Sequence, residues 1–322
     1  MEPPSVMNQF FDVQTQWFVG GVLALLGASS LIGWVLSHRS GNPGYKATVA
    51  NLNGRIRAWW LMVVIFLAAT ALGKMGTVIL FGLISFLALR EFITMTPTKP
   101  GDHRALFWVF FVITPIQYAV IAFNWYGFFS IFIPVYAFLF IPMRSVVAGD
   151  CDRFLERTAK IQWGLMICVY CVSHAPALLY LDIPGYRGQN AKLLMYFVAV
   201  VQMSDVLQYV WGKLLGRRKI APNVSPNKTL GGLLGGVFTA TFIGAALYRL
   251  TPFTPLQSAG MSLVLTLLGF AGGLVMSAIK RDRGVKDYGN LIEGHGGVMD
   301  RIDSLCYSAP VFFHLTRFYF AE

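Results

Sequence analysis

Between Ser277 and Asp303 the chain reads SAIKRDRGVKDYGNLIEGHGGVMDRID, and these side chains could handle phosphate groups. Lys280, Arg281, Arg283, Lys286 and Arg301 supply cations. Asp282, Asp287, Asp300 and Asp303 supply carboxylates, with Glu293 among them, while Gly294, Gly296 and Gly297 surround His295. In a chain only 13% charged, this density is not ordinary surface. Cations hold phosphates, carboxylates hold Mg²⁺, and glycines let backbone N–H groups come close to an anion. These are the parts that phosphoryl or nucleotidyl transfer needs. A membrane-edge loop with a positive-inside bias would account for the cations but not for the carboxylates, because acidic residues contribute little to topology.

A second block runs from Ser204 to Gly236, SDVLQYVWGKLLGRRKIAPNVSPNKTLGGLLGG. Asp205 lies in an apolar helical run, four residues before Tyr209 and on the same face. A carboxylate inside a membrane is costly and usually faces a polar cavity, although an ion pair with Lys213 would also satisfy it. Arg217, Arg218 and Lys219 alone would be a topology anchor or a headgroup contact. Further on, Pro226 breaks the chain, Ser225, Asn227, Lys228 and Thr229 offer donors, and Gly231, Gly232, Gly235 and Gly236 open the next helix. A polar, glycine-rich turn at a helix N-terminus can receive an anion; small residues also serve close helix packing.

These two blocks resemble the signatures of the phosphatidate cytidylyltransferases, or CDP-diacylglycerol synthases. The first follows S-x-x-K-R-x-x-x-x-K-D-x-G and then H-G-G-x-x-D-R-x-D, matched at Ser277, Lys280, Arg281, Lys286, Asp287, Gly289, His295, Gly296, Gly297, Asp300, Arg301 and Asp303. The second follows D-x-x-A-Y and S-P-x-K-T-x-E-G, matched at Asp205, Tyr209, Ser225, Pro226, Lys228 and Thr229. Gln208 stands for the family's alanine, Gly231 for its glutamate, and Glu293 for a small residue or proline, which marks a divergent branch. The resemblance covers roughly the C-terminal third. It implies attack of a phosphatidate oxygen on the α-phosphorus of CTP, giving CDP-diacylglycerol and pyrophosphate. Asp205, Asp287, Asp300 and Asp303 would hold one or two Mg²⁺ ions among the substrate phosphates. Lys228, Lys280, Arg281, Lys286 and Arg301 would contact phosphate, Ser225 and Thr229 would orient the triphosphate, and Gly296 and Gly297 would let backbone N–H groups reach it. His295 would contact phosphate, transfer a proton, or simply brace the turn. Another CTP-dependent lipid-phosphate cytidylyltransferase, a polyprenol kinase, or an anionic-solute transporter remains open.

The elements that must position these groups are membrane helices. The chain has 322 residues, 56% hydrophobic and 15% aromatic, with a mean hydropathy of +0.59. Repeated apolar runs of this kind predict an all-α polytopic membrane protein. They are 17–37, 59–72, 76–89, 105–123, 128–143, 161–181, 193–211, 233–250, 256–279 and 305–318, ten in all if Lys74 marks a hairpin. The loops after the odd-numbered runs hold four, three, four, five and five Lys or Arg, leaving Lys74, Arg187, Lys192, Arg249 and Arg317 elsewhere. That asymmetry puts both blocks on the cytoplasmic side, with both termini on the non-cytoplasmic side. The short tails favour a bacterial inner membrane. One integrated membrane domain is expected, with residues 1–190 as scaffold and lipid access and 191–322 as the catalytic region. A homodimer is compatible with it.

The net charge of +11 lies in short loops facing lipid headgroups, which argues against a nucleic-acid partner. Cys151, Cys168, Cys171 and Cys306 make no disulfide framework and read as packed thiols. Glu91 beside Arg90 suggests an interfacial ion pair. The run of Asp150, Asp152, Arg153, Glu156 and Arg157 suggests a solvated short helix.

Overall fold

In this computed structural model the described residues are 12–39, 42–291 and 296–322. They fold into helices α1 (Val13–Ser37), α2 (Pro43–Ala71), α3 (Gly73–Thr94), α4 (Pro100–Ala122), α5 (Tyr126–Val146), α6 (Phe154–Tyr180), α7 (Asn190–Leu215), α8 (Leu230–Leu250), α9 (Pro255–Asp282) and α10 (Met299–Phe320). Each expected apolar run falls in its own helix. Among the described residues, α1 to α9 are long and apolar enough to cross a bilayer. The tenth, α10, has 22 residues but carries Asp300, Arg301, Asp303 and Arg317. The helical architecture follows from the solvent: in hydrocarbon every backbone group must be satisfied within its own segment.

Local chemistry sets the ends. Asn42 caps α2 by accepting from the Tyr45 N–H at 2.8 Å, with Pro43 opening the helix. Thr254 and Gln257 close a reciprocal capping box at the start of α9. Between α2 and α3 the chain reverses at Gly73, whose φ of +88° suits a residue without Cβ, so Lys74 does follow a true hairpin. Three helices contain wide π turns, at Val109–Ile113, Phe132–Ala137 and Met166–Cys171. Pro134 lies within the second, and Pro115 lies two residues past the first; a wide turn accommodates a proline's missing donor.

The chain is not wholly helical. Strands β1 (Lys219–Ala221) and β2 (Ser225–Thr229) form a small antiparallel hairpin between α7 and α8, where only a polar turn was expected. The core is aromatic: Phe197 of α7 stacks on Phe312 of α10 with centroids 5.3 Å apart.

The acidic run after α5 also departs from expectation. Arg157 is buried, not solvated, and its guanidinium reaches Asp102 at 3.1 Å, Asp150 at 3.0 Å and the carbonyls of Asp150 and Asp152. It fastens the start of α4 to the α5–α6 loop.

Candidate active site

The last four helices and the hairpin surround a cleft of about 290 Å³, lined by residues from α7, β2, α8, α9 and α10. On one wall stand Asp205 of α7 and Asp303 of α10. The Ser304 hydroxyl donates to Asp205 at 2.8 Å, and the Ser304 backbone N–H donates to Asp303 at 2.8 Å. One residue therefore registers both carboxylates. The helices come this close because Gly272 of α9 has no side chain: a Cβ there would lie 2.7 Å from the Asp303 carbonyl oxygen. Lys213 rests over the Tyr209 ring, 5.8 Å from its centroid, and takes no part in balancing Asp205.

Cations face this pair. Lys228 of β2 enters over the Phe270 ring, 4.7 Å from its centroid, and donates to the Phe270 carbonyl at 3.3 Å. Burial lowers its ammonium below the usual lysine range, against the opposing pull of Asp303 and Asp205. Arg301 also lines the cleft, and its Nε is buried without a hydrogen-bond partner among the described residues. The Gln208 side-chain Nε2 is orphaned in the same way. Two unpaired donors beside two carboxylates and a lysine make a cavity suited to an anionic ligand with its own counter-charge.

Asp300 does different work. Both its oxygens are already engaged: Lys280 donates to Oδ1 at 2.7 Å, while the Tyr288 and Gly297 N–H groups donate to Oδ2 at 2.7 and 3.0 Å. Lys280 and Asp300 are 8% and 6% exposed, so each neutralises a charge that would otherwise be stranded. Asp300 thus braces the turns that carry Asp287 and Gly297, with Lys280 as its ion-pair partner, while still lining the cleft.

The residue that sequence reasoning missed is Glu91, at the end of α3. Its carboxylate accepts from the Val298 N–H at 2.9 Å and the Met299 N–H at 2.8 Å, two of the free donors at the start of α10. The expected pairing with Arg90 is replaced by this cap. Asp300 and Glu91 together meet the backbone donors of Gly297, Val298 and Met299. Glycine is required there for space. Gly296 has φ of +80°, and a Cβ on Gly297 would collide with the Glu91 carboxylate. The one available signal was an acidic residue at the end of an apolar helix, in a chain with only 15 acidic residues.

The hairpin delivers Lys228 and seals one side. Thr229 caps α8 by accepting from the Gly232 N–H at 3.1 Å, and Ser225 lines the cleft. Arg281 donates to the carbonyls of Val224 and Val285 at 3.3 and 3.0 Å, so it ties the hairpin to the end of α9. A Cβ at Gly231 would lie 2.6 Å from the Leu215 carbonyl oxygen, which explains why no glutamate stands there. Lys286 and Asp287 are exposed and do not line the cleft; the Asp287 Cβ lies close beside Gly296. Glu293 and His295 lie outside the described residues.

The donors were tested against Mg²⁺. Among the described residues no group of three or more His, Cys, Asp or Glu converges, and the four cysteines are free. Asp205 and Asp303 give a two-carboxylate wall. Mg²⁺ is commonly held by one or two carboxylates and completed by substrate phosphates and water, so the donor set fits that mode and not a closed protein cage.

The sequence profile of the cytidylyltransferase family matches residues 53–319. The chain is 41% identical over 302 residues to the uncharacterized protein YnbB of Escherichia coli strain K12, covering 92% of this chain and 96% of that one. It is 29% identical over 275 residues to the phosphatidate cytidylyltransferase of Bacillus subtilis strain 168 (83% and 98% covered). It is 28% identical over 263 residues to that of Staphylococcus aureus strain COL (78% and 94%). With its profile match spanning both blocks and most of the helices between, the chain belongs to the cytidylyltransferase family.

Proposed function

We propose that this protein transfers a cytidylyl group from CTP to phosphatidic acid in phospholipid biosynthesis, giving CDP-diacylglycerol and pyrophosphate. The observation that carries it is the meeting of Asp205 and Asp303, registered by Ser304, with Lys228 and Arg301 in one cleft. The named activity of the Bacillus and Staphylococcus relatives supports the same choice of lipid.

In the reaction a phosphatidate oxygen forms a bond to the α-phosphorus of CTP, and the bond from that phosphorus to the bridging oxygen breaks. Its electrons leave with pyrophosphate. The phosphatidate monoester is already largely ionised at neutral pH, so no strong general base is needed. The barrier is repulsion between two anions, and fixed charge is the remedy. Lys228 and Arg301 neutralise phosphate oxygens, and the positive N-terminus of α8 adds to their field. Ser225 orients the triphosphate, and Thr229 holds the α8 end in place. Mg²⁺, held by Asp205 and Asp303, would screen the triphosphate and activate its leaving group. Lys286 and Asp287, on the exposed turn beside Gly296, are suited to receive a nucleotide as it enters. The lysine and arginine bias of the loops supports a cleft open to the cytoplasm, in an inner membrane, with both termini opposite.

The test is pyrophosphate release by detergent-purified protein from CTP, phosphatidate and Mg²⁺. Turnover that Asp303→Asn abolishes, without loss of the folded protein, supports the assignment. Consumption of CTP with a polyprenol instead would move the protein to a lipid kinase, and no consumption with any lipid would favour solute transport.

A further inference from the structure

Beside the cleft, on a neighbouring face of α7, lies an apolar groove of about 410 Å³ walled by α1, α2 and α7. Two contacts show how α1 is held across it. At its start Asp12 pairs with Lys192 of α7 at 2.6 Å. Further along, Ser30 accepts from the Trp60 indole of α2 at 3.0 Å. Between these points α1 packs along α2 and stands away from α7, leaving a slot lined by Val22, Trp59 and Ala199 among other apolar residues. Along α7 the slot runs from Met195 to Val206, about 16 Å at the helical rise. The first dozen or so carbons of an acyl chain could lie along it, but a headgroup could not, because polar atoms would find almost no partners.

The slot ends beside the cleft. Val206 is the neighbour of Asp205, and Gln202, the polar residue at that end, donates to the Arg301 carbonyl at 3.1 Å. A lipid with its phosphate at Arg301 and Lys228 would therefore meet the mouth of the slot with the first carbons of its tail. The α1 wall precedes residue 53, where the family match begins. On top of the cytidylyl-transfer reading, we infer that this groove holds one acyl chain of the lipid substrate, and that α1 and α7 set the length of chain accepted.

The test compares dioleoyl with dihexanoyl phosphatidate. Ala199→Phe puts a ring in the slot without touching the cleft. The KM for the dioleoyl lipid should rise about tenfold, the penalty typical of a blocked hydrophobic subsite, while the KM values for dihexanoyl phosphatidate and CTP stay within about twofold. Val22→Trp, from the opposite wall, should do the same and serves if the first variant does not fold. Leu31→Phe on the lipid-facing side of α1, 61% exposed, should leave all three constants unchanged. In parallel, phosphatidate with a photoreactive tail should label Val22 and Ala199 in the wild-type protein, displaced by plain phosphatidate and not by phosphatidylcholine. Equal effects of Ala199→Phe and Val22→Trp on both chain lengths, or labelling displaced equally by phosphatidylcholine, would overturn the groove and show ordinary boundary lipid. A wild-type protein that turns over no phosphatidate of either length would instead overturn the underlying reaction.

Discussion

Changing Glu91 probes whether the start of α10 must be held from outside for the cleft to work. The carboxylate receives two backbone N–H groups, at 2.9 and 2.8 Å, from Val298 and Met299. Hydrogen bonds to a charged acceptor contribute about 1.5–3 kcal/mol each, and the positive helix end adds a few tenths more. Glu91→Gln keeps one acceptor and turns an amide donor toward the other N–H, so it should cost about 2–3 kcal/mol. Asp303 lies one helical turn beyond, and that loss falls on the conformation that sets it opposite Asp205. If the cost appears as a reduced population of the ordered start of α10, kcat should fall about 30- to 100-fold. Glu91→Ala leaves both donors bare and should fall further. The assay is steady-state pyrophosphate release with CTP and phosphatidate varied separately, with the thermal midpoint measured in the same detergent. A positioning role predicts a loss in kcat with little change in either KM and a nearly unchanged midpoint for Glu91→Gln. Wild-type kcat in Glu91→Ala would refute the reasoning, and so would a loss tracking global unfolding alone.

Three further changes have definite expected outcomes. Arg157→Met strands the buried Asp102 carboxylate and should destabilise the protein by about 3–5 kcal/mol, seen as a lower thermal midpoint, with less effect on the KM for CTP than on stability. Lys228 acts as a cation, and burial has lowered its pKa, so activity should be present at lower pH and decline as pH rises through that lowered value. Lys228→Arg keeps its charge, so the alkaline limb of the kcat/KM profile should move up; a limb that stays put removes Lys228 from it. Gly231→Glu restores the family's side chain where a Cβ meets the Leu215 carbonyl at 2.6 Å, and should lower the thermal midpoint without raising activity. A gain in kcat would show that the α7–α8 contact yields.

The helices were legible because hydrocarbon imposes one demand, and runs of apolar residues answer it. Even the short pair around Lys74 was separable, since merging it would scramble the alternation of Lys and Arg between loops. The hairpin was not: Lys219–Thr229 has no apolar alternation and is held by contacts to Arg281 and α8. Asp300 and Asp303 stand three residues apart, a spacing that places them on one helical face. The structure divides them. Lys280 and two backbone donors claim Asp300, while Ser304 steers Asp303 toward Asp205, partners that only tertiary contact supplies. Glu91 was illegible for the same reason, since its partners lie more than 200 residues downstream.

The grip of α3 on the start of α10 also bears on how the protein is made. The helix that completes the cleft is synthesised well after α3, and the carboxylate that steadies it has by then long been in the bilayer. A nascent chain halted before α10, or one whose early hairpin inserted the wrong way round, would lack an ordered cleft even with every later residue intact. Competence toward nucleotide would then arrive in a single step, when the start of α10 docks on the end of α3.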